Sequence, residues 1–261
     1  MYYGIWFLAQ TVVIALATVI ITLNNSSLSQ EDITQLLMSY IIELQIISNC
    51  VAILIYGLLA RAKQKSITET AYINKMPLKY VFNSIILGVS TAYGVALILS
   101  LIPFPDRWTE LLQETNSPFT QSSPTLMFIM VVIMAPVLEE VLFRALLVGT
   151  LKSQMHPAIA VILSALVFGF SHGSPFDMEN GNPIGFFYSL ALGIIMGFLF
   201  VRFNSILPSV IFHMAYNFTT GFVDEPDVLA VLISLPIMII ELIILFRYKP
   251  NYTDTEGDNL E

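Results

Sequence analysis

The residues best suited to chemistry lie in three short stretches. They are Glu139, Glu140 and Arg144 in Pro-Val-Leu-Glu-Glu-Val-Leu-Phe-Arg (136–144), Phe168 and His172 in Phe-Gly-Phe-Ser-His, and His213 and Asn217 in His-Met-Ala-Tyr-Asn. Glu140 and Arg144 are i and i+4, so on a helix they share a face and can neutralise each other, while Glu139 is turned about 100° away, free to face another partner. Alone, the Glu140–Arg144 pair reads equally well as a buried ion pair that orients neighbouring helices. A second carboxylate beside it is harder to explain in that way, and is what a general base acting on water requires. His213 and Asn217 are again i and i+4, so an imidazole and an amide project together. Taken singly, each histidine reads more simply as a hydrogen-bonded packing residue. Together, two imidazoles, two carboxylates and an amide on three apolar segments are costly to retain unless they converge on a wet cavity where Glu and His activate water.

The elements that must position these groups belong in a bilayer. The chain has 261 residues, of which 56% are apolar and 11% charged, whereas soluble domains carry roughly 25% charged residues. Disorder is excluded by the same composition. Long apolar runs at 2–23, 35–60, 80–103, 125–150, 157–172, 184–201, 205–220 and 228–248 predict an all-α fold. It is a polytopic membrane helical bundle of about eight transmembrane helices. Closed barrels are excluded because the runs lack alternation of period two. The fifth and seventh runs, each of about 16 residues, are near the lower limit for a crossing, so one of them is expected to be broken or tilted. Residues 1–249 read as a single transmembrane bundle with the chemical motifs inside 124–220, and 250–261 as a disordered cytoplasmic tail. The N-terminus has no basic region and no small-residue cleavage site, so the first run is expected to remain as a span.

Charge sorting supports that topology. Arg61, Lys63, Lys65, Lys75, Lys79, Lys152, Arg202, Arg247 and Lys249 fall on one side of eight spans, which the positive-inside rule makes cytoplasmic, with both termini there. Glu31, Asp32, Asp106, Glu110, Glu114, Asp177, Glu179, Asp224, Glu225 and Asp227 fall on the other, against a lone Arg107. A net charge of −8 excludes nucleic acid as a partner. Counting 1.5 Å per residue from the cytoplasmic ends puts Glu139 at about 20 Å depth, His172 at about 23 Å, Asn217 at about 20 Å and His213 at about 14 Å, so the groups can meet. Other polar residues read more blandly. Glu43 with Ser39, Gln45 and Asn49 is expected to form a helix-to-helix hydrogen-bonding patch, and Glu241 to reach the interface or pair with a base. Gly193 and Gly197 form a close-packing face, His156 a loop residue, and Cys50 a small buried hydrophobe.

Glu-Glu-x-x-x-Arg at 139–144, Phe-x-x-x-His at 168–172 and His-x-x-x-Asn at 213–217, in this order on successive hydrophobic helices, resemble the CAAX protease and bacteriocin-processing (CPBP, or Abi) family of intramembrane proteases. That family includes the prenyl-protein endopeptidase. The resemblance covers roughly 124–220, and each motif alone is weak. It implies an integral membrane endopeptidase acting on a peptide or membrane-protein substrate, with peptide maturation, bacteriocin self-immunity or signalling as roles of relatives, and the acidic outer loops fit the bacterial cytoplasmic membrane as its location. By the resemblance, Glu139 is the general base and His172 helps to hold the water. His213 and Asn217 polarise the carbonyl and stabilise the oxyanion, and Glu140 and Arg144 position Glu139 or line the cavity. The resemblance leaves metal open, because two His and a Glu form a legitimate zinc ligand set. No His-Glu-x-x-His is present, and a metal-free mechanism with no cofactor is the favoured expectation. Two competing readings are a proton-coupled transporter, for which the paired broken-helix repeats are missing, and a non-catalytic membrane scaffold.

Overall fold

The structure is a computed structural model describing residues 2–25, 27–62, 66–120, 123–177, 179–223 and 228–248. The expected tail at 250–261, the basic residues Lys63, Lys65 and Lys249, and the acidic Asp224, Glu225 and Asp227 lie outside the described residues. The regular elements among the described residues are all helices, with no strand. The helices are α1 (Tyr2–Asn24), α2 (Gln30–Ser39), α3 (Ile41–Ala62), α4 (Ile67–Thr70), α5 (Leu78–Leu101) and α6 (Asp106–Thr120). They continue with α7 (Pro124–Leu151), α8 (Pro157–Phe170), α9 (Pro183–Phe203), α10 (Leu207–Phe222) and α11 (Val228–Phe246).

Six of the described helices, α1, α3, α5, α7, α9 and α11, are long and apolar enough to cross a bilayer. The expectation of about eight crossings thus reduces to six helices of full crossing length plus α8 and α10, the fifth and seventh runs. Their 14 and 16 residues span about 21 and 24 Å, short of a hydrocarbon core of about 30 Å. The second run is not one helix. It breaks at Tyr40, and its first part belongs to α2, which starts on a capping box: Ser29 Oγ accepts from the Asp32 N–H while the Asp32 carboxylate accepts from the Ser29 N–H. The Ser29 hydrogen bonds hold the Asp32 carboxyl below its usual range. Residues 106–120, expected only as part of an outer loop, form α6, whose Arg107 Nε donates to the Glu179 carbonyl and ties it to the loop before α9.

The core sits where α5, α7, α8, α9, α10 and α11 meet, around Leu87, Leu142, Phe143, Phe168, Met196 and Phe212. α1 packs chiefly on α3 and stands at the edge, its Leu8, Leu16 and Leu23 exposed as lipid-facing side chains. Cys50, expected inside, is exposed on α3. A lipid-facing helix is apolar all round, so composition gives no sign of which face turns inward. The expected patch on α3 is real in part: Trp6 Nε1 donates to Asn49 Oδ1 at 3.1 Å and Gln10 Nε2 to Gln45 Oε1 at 3.3 Å. Glu43 does not join it, and its Oε2 is buried without a hydrogen-bond partner among the described residues. Glu241 is buried and accepts from Asn83 Nδ2 across α5 and α11, rather than pairing with a base. His156 caps α8, its Nδ1 accepting from the Ala158 N–H.

Glycine permits the closest approaches. Gly193 and Gly197 lie against Ala165 and Val161 of α8, so the small-residue face is used inside the bundle. At the end of α7, Lys152 donates to Asn204 Oδ1 at 2.6 Å and lies over the rings of Tyr72 and Phe200, and its burial pushes the ammonium pKa down. Gly88 joins α5 to α10: a Cβ there would fall 2.5 Å from the Phe212 carbonyl oxygen and 2.8 Å from Ala215 Cβ. Because backbone cannot move aside cheaply, Gly88→Ala should destabilise the bundle by about 1–3 kcal/mol. The measurement is thermal unfolding in detergent. Gly4→Ala, with nothing within 4 Å of the new Cβ, should unfold with the wild type.

Candidate active site

α7 carries the two carboxylates and is not a uniform α-helix. It widens to π-type turns over Phe128–Met134 and again over Glu140–Val148, with Ala135–Glu139 α-helical between them. The widening shows in i to i+5 bonds: the Ala135 N–H donates to the Met130 carbonyl, and the Gly149 N–H to that of Arg144. Such stretches recur at functional sites because they re-aim the side chains they carry.

Glu140 and Arg144 are fully buried and joined, Arg144 Nη1 donating to Glu140 Oε1 at 2.8 Å. Three further helices are fastened to this pair. Arg144 Nη2 donates to the Gly193 carbonyl of α9 at 3.2 Å, and the guanidinium lies 4.7 Å from the ring centre of Phe168 on α8. On α10, His213 Nδ1 lies 3.2 Å from Glu140 Oε1. The other nitrogen, Nε2, is 3.8 Å from Glu139 Oε2. The carboxylate of Glu140 thus fixes the orientation of the imidazole and leaves Nε2 turned to Glu139, whose side chain retains 20% exposure. Glu140 Oε2 and Arg144 Nε are buried without hydrogen-bond partners among the described residues.

His172 lies just beyond α8. Its Nδ1 is 2.9 Å from the Phe168 carbonyl oxygen. A carbonyl oxygen only accepts, so Nδ1 holds the hydrogen and Nε2 has the free lone pair. The ring centre lies 4.4 Å from that of Phe168, which is also 6.0 Å from that of His213. Phe168 therefore connects both imidazoles and the guanidinium. Asn217 has a partner of its own on α7: its Nδ2 donates to the Val131 carbonyl at 2.9 Å.

The structure brings Glu139, Glu140, Arg144, Phe168 and His213 together, with His172 joined through the Phe168 ring. The imidazole recorded against Glu139 is that of His213, where the resemblance pairs Glu139 with His172. Sequence reasoning missed the carbonyls of Gly193 and Val131, which as backbone carry no signal of their own, and Tyr188 of α9, which is within electrostatic range of Glu139. Among the described residues no three His, Cys, Asp or Glu side chains are arranged to hold a metal ion. Glu140 and His213 are turned to each other, and His172 Nδ1 to a backbone carbonyl. The donor set does not fit zinc in this arrangement.

Comparison with known families identifies the region. Residues 121–219 match the family of type II CAAX prenyl endopeptidases described as Rce1-like, and form a domain of that family. The family is one of CAAX-type membrane proteases, which implies peptidase activity and a peptide substrate. No curated protein and no solved structure matches the chain.

The buried pair has a testable energetic signature. Arg144→Met leaves Glu140 buried without its guanidinium partner and should cost about 3–5 kcal/mol, whereas joint replacement by Glu140→Gln and Arg144→Met should recover much of that loss. Unfolding midpoints in detergent of the two single variants and the double variant check it. Arg144→Lys should not rescue, because a lysine cannot reach both the carboxylate and the Gly193 carbonyl with a planar fork.

Proposed function

With residues 121–219 a domain of that protease family, we propose that this protein is an integral membrane endopeptidase that hydrolyses a peptide bond in or near the bilayer through water activated by Glu139. The observation that carries the reading is the juxtaposition of Glu139 with a histidine held from behind by a second carboxylate: His213 Nε2 at 3.8 Å from Glu139 and Nδ1 at 3.2 Å from Glu140.

Glu139 takes a proton from a water as its oxygen adds to the scissile carbonyl carbon. The carbonyl π electrons move onto oxygen, and Glu139 returns the proton to the amine nitrogen as the C–N bond breaks. His172, with Nδ1 committed to the Phe168 carbonyl, offers Nε2 as an acceptor for a hydrogen of that water. His213, held at Nδ1 by Glu140, directs its Nε2 edge to the oxyanion, and the second hydrogen of Asn217 Nδ2 supports the same oxygen. Glu140 and Arg144 act through His213 and are positioning residues. The bilayer side of the proposal keeps the basic loops and both termini in the cytoplasm, with the short α8 and α10 as seventh and eighth membrane-embedded helices.

Glu139→Gln keeps the shape and removes the base. It should lower kcat on a fluorogenic farnesylated peptide ending in a CAAX sequence by about 10²–10⁴-fold, at an unchanged unfolding temperature. Wild-type turnover by this variant would sink the mechanism. Metal analysis of the active protein, with a chelator control, tests the separate question of zinc.

A further inference from the structure

The partner of Asn217 has a cause in the sequence of α7. In its first wide stretch the Ala135 N–H donates to the Met130 carbonyl, five residues back. Continuing that pattern, the Val131 carbonyl would receive the N–H of residue 136, but residue 136 is proline and has none. The i+4 donor, Ala135, is already used. Val131 therefore has a carbonyl with no helical donor, inside a membrane where unsatisfied backbone groups are costly. Asn217 Nδ2 fills the gap at 2.9 Å.

We propose that Pro136 is a positioning residue for the reaction: by depriving the Val131 carbonyl of its helical partner, it creates the anchor that holds the Asn217 amide. An amide nitrogen has two hydrogens. With one fixed on the Val131 carbonyl, the amide plane and hence the direction of the other are set, on the face of α10 that also carries His213 one turn earlier. The same anchor ties α10 to α7 within the stretch that leads into Glu139. The anchor stands on the hydrogen-bond pattern alone, and its effect on rate rests on the oxyanion role proposed for Asn217.

The experiment is a double-mutant cycle on the full chain in detergent micelles or vesicles. Pro136→Ala restores an N–H that can take the Val131 carbonyl, and Asn217→Ala removes the side-chain donor. The anchor predicts coupling: N217A should lower the unfolding temperature by about 3 °C with Pro136 present, and by little in the P136A background. Additive shifts overturn it. If P136A does not fold, isosteric N217D, which has no amide hydrogen, replaces the cycle. A fall matching that of N217A supports the anchor, and a wild-type unfolding temperature overturns it.

The rate consequence is read on the fluorogenic farnesylated peptide. P136A should lower kcat about tenfold with KM unchanged, since it misdirects a donor used only in the transition state. A change confined to KM overturns the aiming role. If the unfolding temperatures couple but wild-type protein cleaves no peptide, the anchor stands and the protease reading fails.

Discussion

The buried ion pair between Glu140 and Arg144 is the constraint on which the rest of the site depends. Removing both charges from water is expensive, and every partner found for their remaining donors and acceptors is required to offset that cost, the more so as Glu140 Oε2 and Arg144 Nε have none among the described residues. That requirement reaches outward from α7 in three directions: to the Gly193 carbonyl on α9, to the face of Phe168 on α8 and to Nδ1 of His213 on α10. None of these helices can rotate or slide without uncovering a charge. A membrane bundle lacks a strong hydrophobic force between helices, so a polar centre of this kind is an effective way to fix their relative register. The glycine at 193 serves twice, since its missing side chain lets α8 approach and its carbonyl meets the guanidinium.

The wide turns of α7 act on the same centre. One of them begins at Glu140, so the two carboxylates stand at a change of helical pitch, Glu139 closing the α-helical segment and Glu140 opening the π-type one. Glu140 is thereby directed inward to full burial while its neighbour stays partly accessible. Two adjacent residues of one type consequently have different surroundings, which is what assigning one to support and the other to chemistry requires.

Composition was enough to read an all-helical membrane chain, because a deficit of charge and runs near 20 residues are direct consequences of a bilayer's thickness. The residues of the site were legible for the same reason: Glu139, Glu140, Arg144, His172 and His213 stood out as polar groups in apolar segments. Less legible was everything that depends on which face of a helix turns inward. Cys50 and Glu241 have similar apolar neighbours in sequence, yet one is exposed and the other buried against Asn83. The helix α6 was hidden because its polar sequence gives no hydropathy signal. The partner of Asn217 was hidden because it is a carbonyl, made available by a proline whose effect appears only once the wide hydrogen-bonding pattern is known.

The short helix α8 places His172 by a related argument. Its 14 residues cover about 21 Å, short of a full crossing of a hydrocarbon core, and the carbonyls of its last turn need donors from outside the helix. The residues that follow supply them: the Ser171 N–H and hydroxyl donate to the Val167 and Phe168 carbonyls, the His172 N–H to that of Gly169, and the His172 ring to that of Phe168. The tautomer of the imidazole then follows from that requirement. The nitrogen nearer the backbone is consumed in ending the helix, which leaves the outer one with its lone pair free. A proton-accepting nitrogen is thus held in place by the end of the helix that the residue terminates.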